Sequence, residues 1–171
     1  DLDGAPIRAK YRIVALGNLE THPWTKTECF APVLSQLELR LLISLAVKPK
    51  VIPQTADVSQ AFCQSSLPPD EKYVLKPPPG CFLTPKNHYL LLKKTLYGLK
   101  RSPRHWYELA RKTLLSLGLH QNPAAPCIFH GHIIPDKPPI YIGLYVDDIL
   151  FFSQDPTVEE AFMQKFGSCV P

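Results

Sequence analysis

An α+β fold, an antiparallel sheet with helices packed against it, is what this sequence predicts. Three observations lead there. Two segments carry helix-start signals followed by apolar residues at helical spacing. The stretch 139–153 alternates apolar and other residues and then returns, as a hairpin does. Strand and helix candidates interleave without the regular strand–helix–strand spacing of a parallel sheet.

Taken in order, residues 7–16 alternate basic and apolar side chains and run into Gly17-Asn18, which suggests a strand ending in a turn, and residues 19–33 read as irregular. Ser35 with Glu38 forms a capping box, and Leu34 and Leu39 are placed to staple it. Leu37, Leu41 and Leu45 would share one face of this helix with Leu42 beside them, and Pro49 requires an end before it. Residues 51–58 form a short strand candidate weakened by Pro53, which has no N–H to give a ladder. Residues 64–72 read as polar loop, 76–80 (Lys-Pro-Pro-Pro-Gly) as a rigid turn, and 89–92 as another strand. A second helix is expected from Ser102 as N-cap and Pro103 at the first helical position, with Gly118 just past its end. Trp106, Ala110, Thr113, Leu114 and Leu117 would line its buried face. The hairpin follows, with Asp147-Asp148 between its arms, and an amphipathic helix begins near the last residues.

The chain has 171 residues, 45% of them apolar and 20% charged, which supports a sizeable core and excludes a disordered chain. Its 19 prolines fall between apolar runs and act as loop punctuation. A net charge of +4 identifies no partner, but residues 93–112 hold Lys93, Lys94, Lys100, Arg101, Arg104, Arg111 and Lys112 against one acid, Glu108. Such a concentration attracts phosphates, or else forms a solvated helix face. The five cysteines include no CxxC pair, so a disulfide framework or zinc site is not expected and a reduced intracellular setting fits. His130 and His132 flank Gly131 in a stretch that reads as surface loop. The longest greasy run, 41–47, broken only by Ser44, is too short to cross a bilayer, so no membrane partner is expected. The chain opens Asp1-Leu2-Asp3-Gly4 with no apolar leader, and both ends are expected to be cuts in a longer polyprotein.

Asp147 and Asp148 are the only charged residues from 140 to 152. Asn-Gly would serve a tight turn better. Two carboxylates held about 4 Å apart repel by roughly 4 kcal/mol at an effective dielectric near 20. A divalent cation between them offsets that cost. Asp57 raises the same question, since it follows an apolar strand and precedes Val58, Ala61 and Phe62. Three acids at strand ends can hold two Mg²⁺ ions, which prefer hard oxygen ligands and can clamp the attacking and leaving oxygens of an in-line phosphoryl displacement. Read separately, Asp57 would cap a helix and the acid pair would be a turn.

These residues resemble the polymerase palm of reverse transcriptases. Asp57-Val58-Ser59-Gln60-Ala61-Phe62 is similar to the first palm motif, and Tyr145-Val146-Asp147-Asp148 to the YxDD motif. Gly98-Leu99-Lys100-Arg101-Ser102-Pro103 is similar to the stretch that shapes the template and nucleotide site. The Ty1/copia branch is indicated by Leu96-Tyr97-Gly98-Leu99-Lys100 followed by Ser102-Pro103-Arg104 and Trp106. Lys10 to Val14 with Gly17-Asn18, the box Phe30-Ala31-Pro32-Val33, Arg40-Leu41-Leu42 and the turn Pro78-Pro79-Gly80 point the same way. The resemblance covers nearly the whole chain.

It implies fingers and palm without a thumb: about 1–50 and 64–100 fingers-like, 51–63 and 101–171 palm-like. Asp57, Asp147 and Asp148 would be catalytic and bind two Mg²⁺, with Mn²⁺ as a substitute. Phe62 would be the gate against a ribose 2′-OH. Arg12, Lys10, Gly98 and Lys100 would serve the incoming nucleotide, and Tyr145, Ser102, Arg101 and Arg104 the template and primer. Trp106 and Tyr107 are expected to pack the helix rather than stack on bases. The implied partners are an RNA template, a DNA primer–template, deoxynucleoside triphosphates and the remainder of a Pol polyprotein, and the implied location is a cytoplasmic particle. The sequence departs from the family pattern at Cys63-Gln64-Ser65-Ser66, at Cys81 and at Pro53. A relic of a decayed element that keeps the fold without chemistry, or a basic nucleic-acid-binding module, are the alternatives.

Overall fold

The structure, a computed structural model, describes residues 12–81, 85 and 87–170. Among these residues it is mixed α and β, with four α-helices and an antiparallel main sheet. The elements are α1 (Lys26–Cys29), α2 (Gln36–Val47), β1 (Gln54–Asp57), β2 (Val74–Leu75), β3 (Leu90–Leu91), α3 (Ser102–Ser116), β4 (His120–Asn122), β5 (Ala125–Gly131), β6 (Ile140–Tyr145), β7 (Asp148–Ser153) and α4 (Pro156–Cys169). The main sheet runs β1-β7-β6-β5-β4, and β2 pairs with β3 in a separate ribbon. Among the described residues, no helix is long and apolar enough to cross a membrane.

Sheet register assigns the faces. Phe129, Ile142 and Phe151 stand side by side on one face, and Phe151 meets Phe162 of α4 with ring centroids 5.1 Å apart. Gln121 is on the same face, opposite Phe129, and there its amide donates to the Tyr107 hydroxyl of α3 at 2.8 Å. Thus α3 and α4 cover that face. The other face receives α2. A Cβ built on Gly143 would lie 2.6 Å from Leu42 Cδ1 and 3.1 Å from Leu34 Cδ2, so the bare glycine is the niche into which α2 packs.

Helix α2 starts as its residues require. Ser35 accepts from the Glu38 N–H, and the Ser35 N–H donates back to Glu38 at 2.6 Å. Its buried face lies to one side of the stripe formed by Leu37, Leu41 and Leu45. Leu42 and Ala46 are buried, while Leu37, Leu41 and Leu45 are exposed. Apolar side chains ring this helix almost completely, so the position of the Gly143 niche decides which of them turn inward. Helix α3 buries Trp106, Ala110, Thr113 and Leu114 as expected and Tyr107 with them, while Leu117, expected on the same face, is the C-cap and only half-buried. Its N-cap is Arg101 rather than Ser102, because the buried Ser102 hydroxyl donates to the Leu96 carbonyl at 2.6 Å instead. At the other end Gly118 has φ +85°, and the N–H groups of Gly118 and Leu119 return to the carbonyls of Leu115 and Leu114, the double bond of a Schellman stop.

Other differences have local causes. The strand foreseen over 51–58 begins only at Gln54, one residue past Pro53. The strand foreseen over 7–16 falls partly outside the described residues, and 12–16 form no strand. Residues 19–33, read as irregular, contain α1, opened by a capping box of Thr25 and Glu28. The stretch containing His130 and Gly131, read as loop, is central strand β5. Residues 64–72 hold a buried acid, Glu71.

Candidate active site

Asp57 is the last residue of β1 and pairs directly with Asp148, the first residue of β7. Directly opposed residues on antiparallel strands keep their Cα atoms about 4.5–5.5 Å apart. Asp147 is next in the chain, in the turn before β7. The Val58 N–H donates to the Asp147 carbonyl at 2.9 Å, tying the end of β1 to that turn. The three aspartates therefore share one end of the sheet. Asp57 and Asp148 are exposed and Asp147 is half-buried.

The hairpin that presents them turns on Val146 and Asp147, with Tyr145 and Asp148 as its closing pair. Asp148 is thus already in the strand rather than in the turn. Val146 has φ +55°, a conformation that costs a β-branched residue roughly 1–2 kcal/mol. Two contacts hold it there. The buried Trp106 indole N–H donates to the Val146 carbonyl at 2.5 Å, and Val58 holds the next carbonyl. Strain in the backbone beside the acids is thereby offset by α3 and by β1.

A second group of side chains stands beside the acids. Phe62, in a 3₁₀ turn over Ala61–Cys63, meets the Tyr97 ring with centroids 4.9 Å apart. The Arg12 guanidinium lies over the other partner of that pair, 4.5 Å from the Tyr97 centroid. Burial pushes the Tyr97 hydroxyl above its ordinary pKa; the Arg12 charge pulls it back, and the Asp147 and Asp57 charges raise it further. Tyr97, which packs against Phe62 and Arg12, therefore lies within the field of both acids. The Phe62 carbonyl accepts from the Thr95 hydroxyl, which fixes the turn. Phe62 also borders a cleft of about 140 Å³ shared with Pro32, Pro103, Trp106, Leu144 and Val146. Behind Asp57, a second cavity of about 170 Å³ lies between the sheet and α4.

The remaining expected site residues are more scattered. Tyr145 is 51% exposed at the mouth of the hairpin. Gly98 has φ +90°, and a Cβ there would sit 2.0 Å from the Ala15 carbonyl oxygen, so its role in the fold is a backbone crossing. Lys100 is exposed, and its backbone N–H donates to Glu20 at 2.8 Å. Arg101 pairs with buried Glu71 and lies 4.6 Å from the Trp24 ring centroid. Arg104 pairs with Glu108 at 2.8 Å and donates to the Phe30 carbonyl. Ser102 is buried, and Lys10 lies outside the described residues. The basic stretch is thus partly neutralised by Glu108 and by Glu71, which arrives from a distant loop and also meets His105 at 3.0 Å.

Comparison with known proteins agrees with the motifs. The family model for reverse transcriptase (RNA-dependent DNA polymerase) matches residues 2–169. The chain belongs to that family. It is 34% identical over 156 residues to the Retrovirus-related Pol polyprotein from transposon RE1 of Arabidopsis thaliana, covering 91% of this chain and 10% of the relative. It is 30% identical over 156 residues to that from transposon TNT 1-94 of Nicotiana tabacum, covering 91% and 12%. To the truncated transposon Ty1-A Gag-Pol polyprotein of Saccharomyces cerevisiae it is 30% identical over 148 residues, covering 85% and 12%. This reverse transcriptase segment is therefore of the Ty1/copia Pol type and spans about a tenth of the length of these curated relatives. No solved structure gives a significant match.

Whether the reverse transcriptase residues fit metal ions can be judged from the donor set. Asp57, Asp147 and Asp148 offer only carboxylate oxygens, the ligands that Mg²⁺ and Mn²⁺ take. They are gathered but not drawn into a cage: among the described residues, no three His, Cys, Asp or Glu side chains converge as a metal-holding group. Three like charges at one strand end repel, and the side chains are free to turn, because two of the three are exposed.

Tyr97, Trp106 and Glu71 are the residues that sequence reasoning did not assign to the site. Tyr97 and Trp106 lie inside the Leu96 to Trp106 signature that identified the branch. Nothing near Glu71 in sequence signals Arg101, which is 30 residues away.

Proposed function

We propose that this segment carries the fingers and palm of an RNA-directed DNA polymerase, adding deoxynucleotides to a primer 3′-OH on an RNA or DNA template. In this reading Asp57, Asp147 and Asp148 hold two Mg²⁺ ions. The pairing of Asp57 with Asp148, together with the Val58 bond to Asp147, is the observation that carries it. When bound, such ions supply charge stabilisation for the attacking and leaving oxygens of phosphoryl transfer.

The chain's own residues do the positioning. Trp106 and Val58 hold the backbone of the turn that carries both acids against the end of β1. Arg12 supplies a cation for triphosphate oxygens. Phe62, backed by Tyr97, presents a ring edge where a ribose 2′-OH would clash. Tyr145 stands exposed where a primer terminus could rest. Residues 51–63 and 101–170 form the palm, and the ribbon of β2 and β3 belongs to the fingers.

The test uses the complete parent polymerase, extended on a primed RNA template. Asp148→Asn should reduce Mg²⁺-dependent extension to background while leaving salt-sensitive template binding in place. Full extension by the variant would overturn the assignment. Phe62→Ala should admit ribonucleotides, and unchanged sugar selection would remove Phe62 from the gate.

A further inference from the structure

His120 and His130 face each other across β4 and β5 as direct cross-strand partners. Their ring centroids are 6.2 Å apart, with the planes inclined by 53°. Both side chains are exposed. They lie at the edge of the sheet opposite β1, and so away from the aspartates.

The backbone beneath them is anchored. The neighbouring Gln121 points to the other face, where it accepts from Arg111 Nε at 2.8 Å and donates to the Pro126 carbonyl at 2.7 Å and to the Tyr107 hydroxyl. The connection is closed by the Ala124 N–H on Asn122 Oδ1 at 2.9 Å. On the inner side the His130 ring stands 6.2 Å from Tyr141, which in turn stacks on Phe152 at 5.2 Å. The two Cβ atoms are therefore fixed opposite one another, and only side-chain torsions remain to be set. Among the described residues neither imidazole spends a ring nitrogen on a protein hydrogen bond, in contrast to His132, whose Nδ1 meets the Lys137 carbonyl at 2.8 Å.

Two imidazoles in this arrangement are a chelate in waiting. Cβ atoms of directly opposed residues lie about 4.5–5.5 Å apart. Each ring nitrogen would lie about 2.0–2.1 Å from a shared ion, which at the roughly 90–110° ligand angles of such ions places the ring centroids about 4.5–5 Å apart. The observed rings stand about 1–2 Å wider than that, a gap that side-chain rotation of the two exposed imidazoles closes. We propose that His120 and His130 form a two-imidazole site for a transition-metal cation of the Ni²⁺, Cu²⁺ and Zn²⁺ class, with water or an added ligand in the remaining positions. Imidazole selects these ions over Mg²⁺, whose preference is for oxygen. The site is chemically orthogonal to the carboxylates at the far edge and does not depend on them.

The experiment is a calorimetric titration of the 171-residue chain with Ni²⁺ in excess Mg²⁺, paired with paramagnetic broadening of its amide resonances. The expected result is one Ni²⁺ site, with broadening centred on residues 120, 130 and 141. Affinity should fall at least about tenfold in His120→Asn and in His130→Asn alike, because each removes one of two ligands. His132→Asn should bind as the parent does. Both histidines are exposed, so the variants should keep the parent's melting temperature. Undiminished binding by the His120→Asn, His130→Asn double variant would overturn the proposal, as would broadening centred on Cys169 or His132.

Discussion

Replacing Trp106 by Phe tests whether α3 holds the hairpin that carries the acid pair. The substitution keeps a ring in a position that is 1% exposed but removes the N–H that donates to the Val146 carbonyl at 2.5 Å. Leaving a buried acceptor unsatisfied costs about 1–3 kcal/mol, and this half-buried one belongs at the lower end, about 1–2. The smaller ring adds about 1 kcal/mol of lost packing. The expected loss is about 2–3 kcal/mol, which for a chain of this size lowers Tm by roughly 4–12 °C. Val146→Gly supplies the second arm of a double-mutant cycle. Glycine accepts a positive φ without strain, and its turn can rotate the freed carbonyl toward water. The double variant should therefore lose about 1 kcal/mol less than the sum of the two single variants. Urea and thermal unfolding of all four proteins measure these quantities. A Trp106→Phe variant that melts within about 1 °C of the parent, or strictly additive losses, would refute the claim that the indole supports the turn.

Gly143→Ala places a methyl group 2.6 Å from Leu42 Cδ1, so overpacking should cost about 1–3 kcal/mol in urea unfolding, and pairing it with Leu42→Val should recover part of that loss. Hydrogen bonds from Lys137 and Thr157 hold the Asp155 carboxylate down at about 2, below its ordinary value of 3.8. A depressed carboxylate contributes stability that is present above the unfolded pKa and is lost as pH falls through the folded one. Tm should therefore decline between about pH 4 and pH 2 through the loss of this α4 cap, and Asp155→Ala should lower Tm at neutral pH while flattening that decline.

The capping box of α2, the glycine stop of α3 and the hairpin of β6 and β7 were legible because each rests on residues within a few positions of one another. What the sequence hid depends on partners far along the chain. Leu42 faces inward because Gly143, 101 positions later, leaves room for it. Ser102 looks like a cap, but the Leu96 carbonyl claims its hydroxyl. Strand β5 shows no alternation because it is an interior strand buried on both faces as far as Phe129, with only His130 exposed, and it contains Pro126, whose carbonyl serves Tyr107 and Gln121. The acid pair was visible as a break in an apolar run. Its turn was misplaced by one residue, since a valine at positive φ is tolerable only with Trp106 and Val58 behind it.

The central claim is that Asp57, Asp147 and Asp148 work as one metal site. Anomalous diffraction from crystals soaked in Mn²⁺ tests it most directly. The account predicts two manganese peaks about 3.5–4 Å apart, with Asp57 and at least one acid of the hairpin as ligands. Manganese bound elsewhere, or at the hairpin acids with Asp57 turned away, would contradict it.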